Sequence, residues 1–325
     1  MNIVITGGQG FLGQRLAKTL LKQTVLPIKE LVLIDVVKPV APNNDPRVRC
    51  VEMDLRNPQG LEEIITEKTT ALFHLAAIVS SHAEQDPDLG YEINFLATRH
   101  LLEVCRRTNP NIRFIFSSSL AVFGGELPSV ITDSTAVTPQ STYGSQKAMC
   151  ELLINDYSRK GFVDGLVVRL PTICIRPGKP NKAASSFVSS IMREPLHGED
   201  SICPVSEDLG LWLSSPNTVV NNFIHCLQLA KLPTRSSDES PNDFGKNHIV
   251  NLPGFSVSVK EMLADLAEIK GRDILQHVKF QFDPQINDIV ASWPAQIDNH
   301  KALALGFKAD EDFKSVIQQF IQYDM

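Results

Sequence analysis

Short apolar runs alternate with helical ones through the first half of this chain, and that rhythm limits the fold more than any other feature. NIVIT (2–6), ELVLIDV (30–36), VRCVEMD (48–54), ALFHLAA (71–77), RFIFSSS (113–119) and GLVVRLP (165–171) read as six strands. Between them lie helical patterns: FLGQRLAKTLLKQ, the short GLEEIITEK, a long stretch from about Asp88 to Arg107, and another near Tyr143 to Lys160. Continuous apolar strands separated by helices indicate a parallel sheet covered on both faces. The expected class is α/β, with a doubly wound parallel sheet.

The first strand runs into VITGGQGFLG (4–13), which places Gly7, Gly10 and Gly13 at three-residue intervals between a strand and a helix. Gly7 suits the tight turn. Gly10 lets backbone approach a pyrophosphate, and Gly13 lets the helix pack closely against the strand. The first helical turn, with Phe11 and Leu12, offers free N–H groups and partial positive charge to phosphates. This is the strand–turn–helix context that makes the motif a dinucleotide site of the Rossmann kind. Asp35 ends the second strand, 22 residues after Gly13. A carboxylate there binds the two hydroxyls of an adenosine ribose and repels a 2′-phosphate, so the expected cofactor is NAD rather than NADP. Lys38, close behind, is the one cation that speaks for NADP.

From about Pro171 the rhythm breaks. RPGKPNKAASS (176–186) and RSSDESPNDFGKN (235–247) read as loops, HIVNL (248–252) as a late strand, and DFKSVIQQFIQYDM (312–325) as an amphipathic helix. The division expected is an NAD-binding Rossmann domain over 1–170 and a smaller α/β substrate-binding region over 171–325. A strand near 247–252 is expected to return to the Rossmann sheet.

A second constellation follows the fifth strand. FIFSSSLAVFG ends in a serine triplet, and TYGSQKAMCELL sets Tyr143 and Lys147 four residues apart, on one face of a helix. TGGxGFLG, Asp35, HLAA at 74–77, the triplet and Tyr143-x-x-x-Lys147 together resemble the extended short-chain dehydrogenase/reductase superfamily, which contains the nucleotide-sugar epimerases. The motifs keep the superfamily's order over 3–147. Within it, RLPTICIRPGKPNKAASSF (169–187) and AAIVSSHAE (76–84) are similar to the branch that acts on D-erythronate. The resemblance implies that Tyr143 is the acid/base, that Lys147 binds the nicotinamide ribose, and that Ser119 orients the substrate hydroxyl. Ser118 stays open as the alternative serine. It also implies that Asp54 and Leu55 meet the adenine, that Leu75, Ala76 and Ala77 run beside the pyrophosphate, and that Asn94 supports the site. Pro171 to Ile173 would face the nicotinamide, and a helix-bundle homodimer is common in the superfamily.

A phenol titrates near 10 and is a poor base at neutral pH. An ammonium about 4 Å away stabilises the phenolate by roughly 4 kcal/mol at an effective dielectric near 20. Lys147 and the oxidised cofactor are therefore expected to bring Tyr143 towards the working pH. The implied reaction is NAD-dependent oxidation of a small 2-hydroxy acid at C2, D-erythronate to 2-oxo-tetronate. For the carboxylate the sequence offers Arg176, Lys179 and Lys182, and for the acid's hydroxyls Ser80 and Ser81. His74, Trp212 and Trp293 read as packed core or interface residues, and His82 as a minor substrate contact.

Two other functions share the motifs: a nucleotide-sugar epimerase or dehydratase, and a non-catalytic NAD(P)-sensing protein. Phe123, where sugar-nucleotide enzymes carry a Tyr, and LWLSSPNTVV (211–220) speak against the first. Retention of Ser119, Tyr143 and Lys147 speaks against the second. Among 325 residues, 43% are apolar and the formal charge is −6, which argues against nucleic acid or an anionic membrane as partner. No signal peptide and no span of about 20 apolar residues is read. The six scattered cysteines form no CxxC or metal spacing. No metal, a cytoplasmic location and reduced thiols are expected.

Overall fold

The computed structural model describes residues 1–57, 59–179, 183–230 and 247–325. Lys182 and nearly all of the loop expected at 235–247 lie outside the described residues. In chain order the strands are β1 (Asn2–Thr6), β2 (Glu30–Asp35), β3 (Val48–Glu52), β4 (Ala71–His74), β5 (Arg113–Ser119), β6 (Asp164–Leu170), β7 (Thr172–Ile173), β8 (Ser201–Cys203), β9 (Gly210–Ser214), β10 (Ile249–Asn251), β11 (Phe255–Ser258) and β12 (Val278–Phe280). Seven of them make one sheet in the order β10-β6-β5-β4-β1-β2-β3. Every pairing in it is parallel.

The order reverses at β1, between β4 and β2, and ligands bind at that switch point beyond the carboxyl ends of the strands. The central strands are buried on both faces because helices cover both. The helix Phe11–Lys22 and the helix Pro216–Cys226 pack one face through Leu16, Leu20 and Phe223. The helices Ala97–Thr108 and Thr142–Arg159 cover the other through Leu101, Cys105 and Ile154. The late strand β10 adds to β6 at the sheet's edge, Ile249 opposite Val167.

The remaining strands form two small sheets, β11-β9-β7 and β12-β8. They pack with the helices Ser186–Leu196, Val259–Lys270 and Phe313–Tyr323 around a separate apolar core. The stretch expected to be one helix from Asp88 to Arg107 is broken into Pro87–Gly90, a π-helical turn at Tyr91–Leu96, and Ala97–Thr108. At the π-turn the Asn94 carbonyl accepts from Thr98 Oγ1 (2.7 Å) and Cys150 Sγ (3.0 Å), two side-chain donors from outside the backbone ladder.

Candidate active site

The glycine turn fixes the site's floor. Gly7 takes φ +71°, and a Cβ there would lie 2.8 Å from the Ala76 nitrogen. A Cβ on Gly13 would collide with the Gly7 carbonyl oxygen, so the crowding is with the turn itself rather than with the strand expected from the sequence. Gly10 caps the helix Phe11–Lys22 in extended conformation with no side-chain cap, leaving the first-turn amides to a ligand. Asp35 is held over this turn: its carboxylate accepts from Gln9 N at 3.0 Å.

Above the floor runs a cavity of about 380 Å³. Gly7, Gly10, Phe11, Leu12 and Gly13 line its base, and Asp35, Asp54 and Leu55 its far end. Leu75, Ala76, Ala77 and Ile173 line its wall. Arg56 and Met53, which sequence reading did not pick out, share the far end. Arg56 grips Asp54 at 2.6 Å, which holds the Asp54 carboxyl below its ordinary range. Asn94 stands one layer behind. It is buried, and clasps Ile78 through both backbone groups (2.8 and 3.0 Å) while donating to Gln146 at 2.6 Å.

A second cavity of about 220 Å³ adjoins the first. Leu12, Leu75, Ala77, Ile173 and Arg176 line both. Ser119, Tyr143, Lys147 and Pro171 converge on it. The serine triplet divides its labour. Ser119 bonds the Tyr143 phenol and caps Ala121 N at 3.1 Å. Ser118 lies against the helix instead, donating to Glu151 at 2.5 Å, and Glu151 is clamped by Arg169 at 2.7 and 2.9 Å. The register explains this, since Ser118 sits opposite Arg169 and Ser119 opposite Leu170. Lys147 donates to the Ser117 carbonyl at 2.7 Å and lies 5.6 Å from the centre of the Tyr143 ring.

The electrostatics differ from the sequence expectation. Burial pushes the Tyr143 phenol up to about 12, and the bond from Ser119 offsets only part of that. Burial brings Lys147 down to about 8, with Cys150 and Glu151 opposing. An ammonium whose hydrogen bond goes to a carbonyl does not by itself make the neighbouring phenol acidic. The extent of burial decides the matter, and spacing along a helix does not reveal it.

Other predicted residues are placed as follows. Arg176 lines both cavities, whereas Lys179 is exposed and lines neither. Ser80 faces the second cavity and accepts from Ala184 N at 3.1 Å, while Ser81 and His82 are outside the lining. Trp293 takes the core position read from sequence and has a second role there. It packs against the small core but also walls the second cavity, to which no local signal pointed. Trp212 is buried in the core. His74 is structural: it bridges Thr6 Oγ1 (2.7 Å) and Thr98 Oγ1 (2.8 Å), and burial drives it down to about 3.

A glycine-floored cleft at the switch point, opening beside a buried lysine and a half-buried tyrosine and serine, defines a dinucleotide-dependent enzyme. Residues 3–215 match the model of the NAD dependent epimerase/dehydratase family, and the chain belongs to that family. Its cofactor is NAD, and the cradle that admits no Cβ, the free amides and Asp35 fit it. The chain is 75% identical over 325 residues to a D-erythronate dehydrogenase of Haemophilus influenzae, covering 100% of both. It is 46% identical over 329 residues to one of Cupriavidus necator, covering 99% of this chain and 98% of that one. Among solved structures, a nucleoside-diphosphate-sugar epimerase from Agrobacterium tumefaciens superposes with TM-score 0.91 at 38% identity, over 100% of this chain and 94% of that one. An L-threonine 3-dehydrogenase from Trypanosoma brucei superposes with TM-score 0.85 at 27% identity, over 99% and 96%.

Proposed function

We propose that this protein oxidises D-erythronate to 2-oxo-tetronate with NAD. The observation that carries the reading is the second cavity. Ser119, Tyr143 and Lys147 share about 220 Å³ walled by Trp293, a space below the ~300–1,000 Å³ typical of sites for larger ligands. A four-carbon acid suits that space. The full-length likeness to two D-erythronate dehydrogenases supports the same substrate.

Residues 1–170, with Pro171 to Ile173, hold the cofactor, and residues further along 171–325 complete the substrate site. Ser119 holds the C2 hydroxyl beside Tyr143. Tyr143, as phenolate, takes that hydroxyl proton while the C2–H bond breaks, and the C2–O bond becomes a carbonyl. NAD supplies the acceptor for the C2 hydride. Lys147 and Pro171 to Ile173 keep the nicotinamide end in register with Tyr143. Asp54 and Leu55 flank the adenine, and Asn94 stiffens the wall through Ile78.

The homodimer and the cytoplasmic location belong to this reading. Leu152, on the helix Thr142–Arg159, is 66% exposed, and Tyr91 and Leu96 are exposed on the neighbouring π-turn, which is apolar surface suited to a second copy. All six cysteines are free thiols, as a reducing compartment keeps them. No helix among the described residues is long and apolar enough to cross a membrane.

The test is a panel of aldonates with NAD, followed by reduced-nicotinamide absorbance. NADH formation with D-erythronate is expected, and Tyr143→Phe should lower kcat by roughly 100- to 10,000-fold. Turnover of a UDP- or dTDP-sugar without net NADH would replace this reading with epimerisation. Cofactor binding with no turnover would replace it with sensing.

A further inference from the structure

Four arginines with buried or nearly buried side chains are neutralised by carboxylates. Arg113 pairs with Asp164 (2.8 Å), Arg169 with Glu151 (2.7 Å), Arg193 with Glu194 (2.5 Å) and Arg15 with Asp324 (2.5 Å). Arg176 is the exception. Its main chain is pinned, the N–H donating to Ser189 Oγ at 3.0 Å and the carbonyl accepting from Arg193 at 2.7 Å. Its guanidinium makes no ion pair or hydrogen bond among the described residues, yet it lines both cavities where they meet. Burial, and the nearby charge of Arg193, pull its pKa downward. A half-buried guanidinium that faces a cavity without a counter-charge is stabilised when an anion completes it. We propose that Arg176 is the anion-recognition residue of the site, and that the anion is the carboxylate of the 2-hydroxy acid.

Two anionic groups come within reach of such a position, the acid's carboxylate and the cofactor's pyrophosphate. The pyrophosphate already has donors in the uncapped first turn of the helix Phe11–Lys22. Among the described residues that line the second cavity, the acid has no other free cation. The second cavity holds two basic side chains, Lys147 and Arg176, and the Lys147 ammonium is engaged by Ser117. A bidentate guanidinium–carboxylate pair also fixes direction as well as affinity. With the carboxylate held at Arg176 and the adjacent C2 hydroxyl at Ser119 and Tyr143, only an acid oxidised next to its carboxylate places the reacting hydrogen between them. The specificity inferred is for 2-hydroxy acids over neutral polyols and amides of the same length. This rests on the acid-oxidation reading above.

The experiment compares wild type with Arg176→Met and Arg176→Ala, checked for fold by thermal melting. Three readouts are taken: NAD affinity by calorimetry, oxalate binding to the NAD-loaded enzyme, and kcat and KM for D-erythronate against D-erythronamide. The expected result for Arg176→Met is NAD affinity within about threefold of wild type and loss of oxalate binding. Its kcat/KM should fall about 100-fold or more for the acid, with little change for the amide. Added guanidinium should restore part of the acid oxidation in Arg176→Ala. Weakened NAD affinity with an unchanged KM for the acid would overturn the proposal and assign Arg176 to the pyrophosphate. Unchanged behaviour in all three readouts would also overturn it. If wild type oxidises no 2-hydroxy acid but binds oxalate through Arg176, the anion site stands and the proposed reaction fails.

Discussion

The phenol of Tyr143 stands at about 12 in the field of the protein alone, and the proposed reaction needs it near 7. Closing that gap of about 5 units takes about 7 kcal/mol. Lys147, 5.6 Å from the ring centre, is already part of that field and does not close the gap. The positive nicotinium of NAD⁺ is the charge left to act on it. Coupling is reciprocal: whatever the cofactor does to the proton, the proton does to the cofactor. A cofactor that lowers the phenol's pKa binds the phenolate form more tightly. NAD⁺ affinity should therefore rise with pH through the window between the two pKa values, by about 50-fold between pH 7 and 9. One proton should be released per NAD⁺ bound. NADH, whose ring is neutral, should show little pH dependence. Lys147 is itself brought down to about 8 and titrates in the same window. Tyr143→Phe is the reference that isolates the phenol, because Lys147 remains in it. Calorimetry at several pH values, in buffers of different ionisation heat, reads both affinity and proton release. If wild-type NAD⁺ affinity changes less than threefold from pH 7 to 9, or if Tyr143→Phe keeps the wild-type slope, the reasoning is refuted.

Two further perturbations probe the scaffold. Gly13→Ala places a Cβ against the Gly7 carbonyl oxygen, so the turn must open, and NAD affinity should fall at least about 10-fold by calorimetry, while an unchanged affinity would remove the glycine cradle from the argument. His74 is held neutral by burial first and by the Lys147 charge second, with its pKa near 3 against an ordinary 6.5. Its contribution to stability is complete above pH 6.5 and is lost as pH falls from there towards 3, with a slope approaching about 1.4 kcal/mol per unit. Urea unfolding of wild type and His74→Gln across pH 4–7 should show the steeper loss in wild type alone.

The sheet was legible because its strands are buried on both faces and so are apolar throughout. RFIFSSS became β5 over Arg113–Ser119 for that reason. Gly7, Gly10, Gly13 and Asp35 were legible because their chemistry is local: a turn, a helix start, a strand end. The choice between Ser118 and Ser119 was not. Both end the same strand, and what separates them comes from elsewhere, Glu151 on a helix and Arg169 on β6. Part of that signal was present, since Tyr143, Lys147 and Glu151 recur every fourth residue and so share a helix face. Trp293 and Ser80 were harder. Trp293 reaches the cavity from 150 residues beyond Tyr143, and Ser80 rather than Ser81 faces in because the helix Ser80–Gln85 starts there.

The Glu151–Arg169 pair explains why a triplet of serines presents a single hydroxyl to the chemistry. Glu151 is 1% exposed and accepts three hydrogen bonds, two from Arg169 and one from Ser118. Arg169 in turn lies 4.8 Å over the Phe123 ring, which fixes its plane. Phe123 therefore has a structural task at the position where sugar-nucleotide enzymes carry a tyrosine. With Glu151 ionised, the buried set of Lys147, Arg169 and Glu151 carries one net positive charge instead of two, so Lys147 keeps its proton near neutrality despite its burial. Ser118 is consumed in completing that carboxylate, and Ser117 in donating to the His74 carbonyl at 2.9 Å. All three serines line the cavity, and Ser119 is the one whose hydroxyl meets the Tyr143 phenol. The selectivity of the serine is thus a consequence of how the charges behind it are balanced.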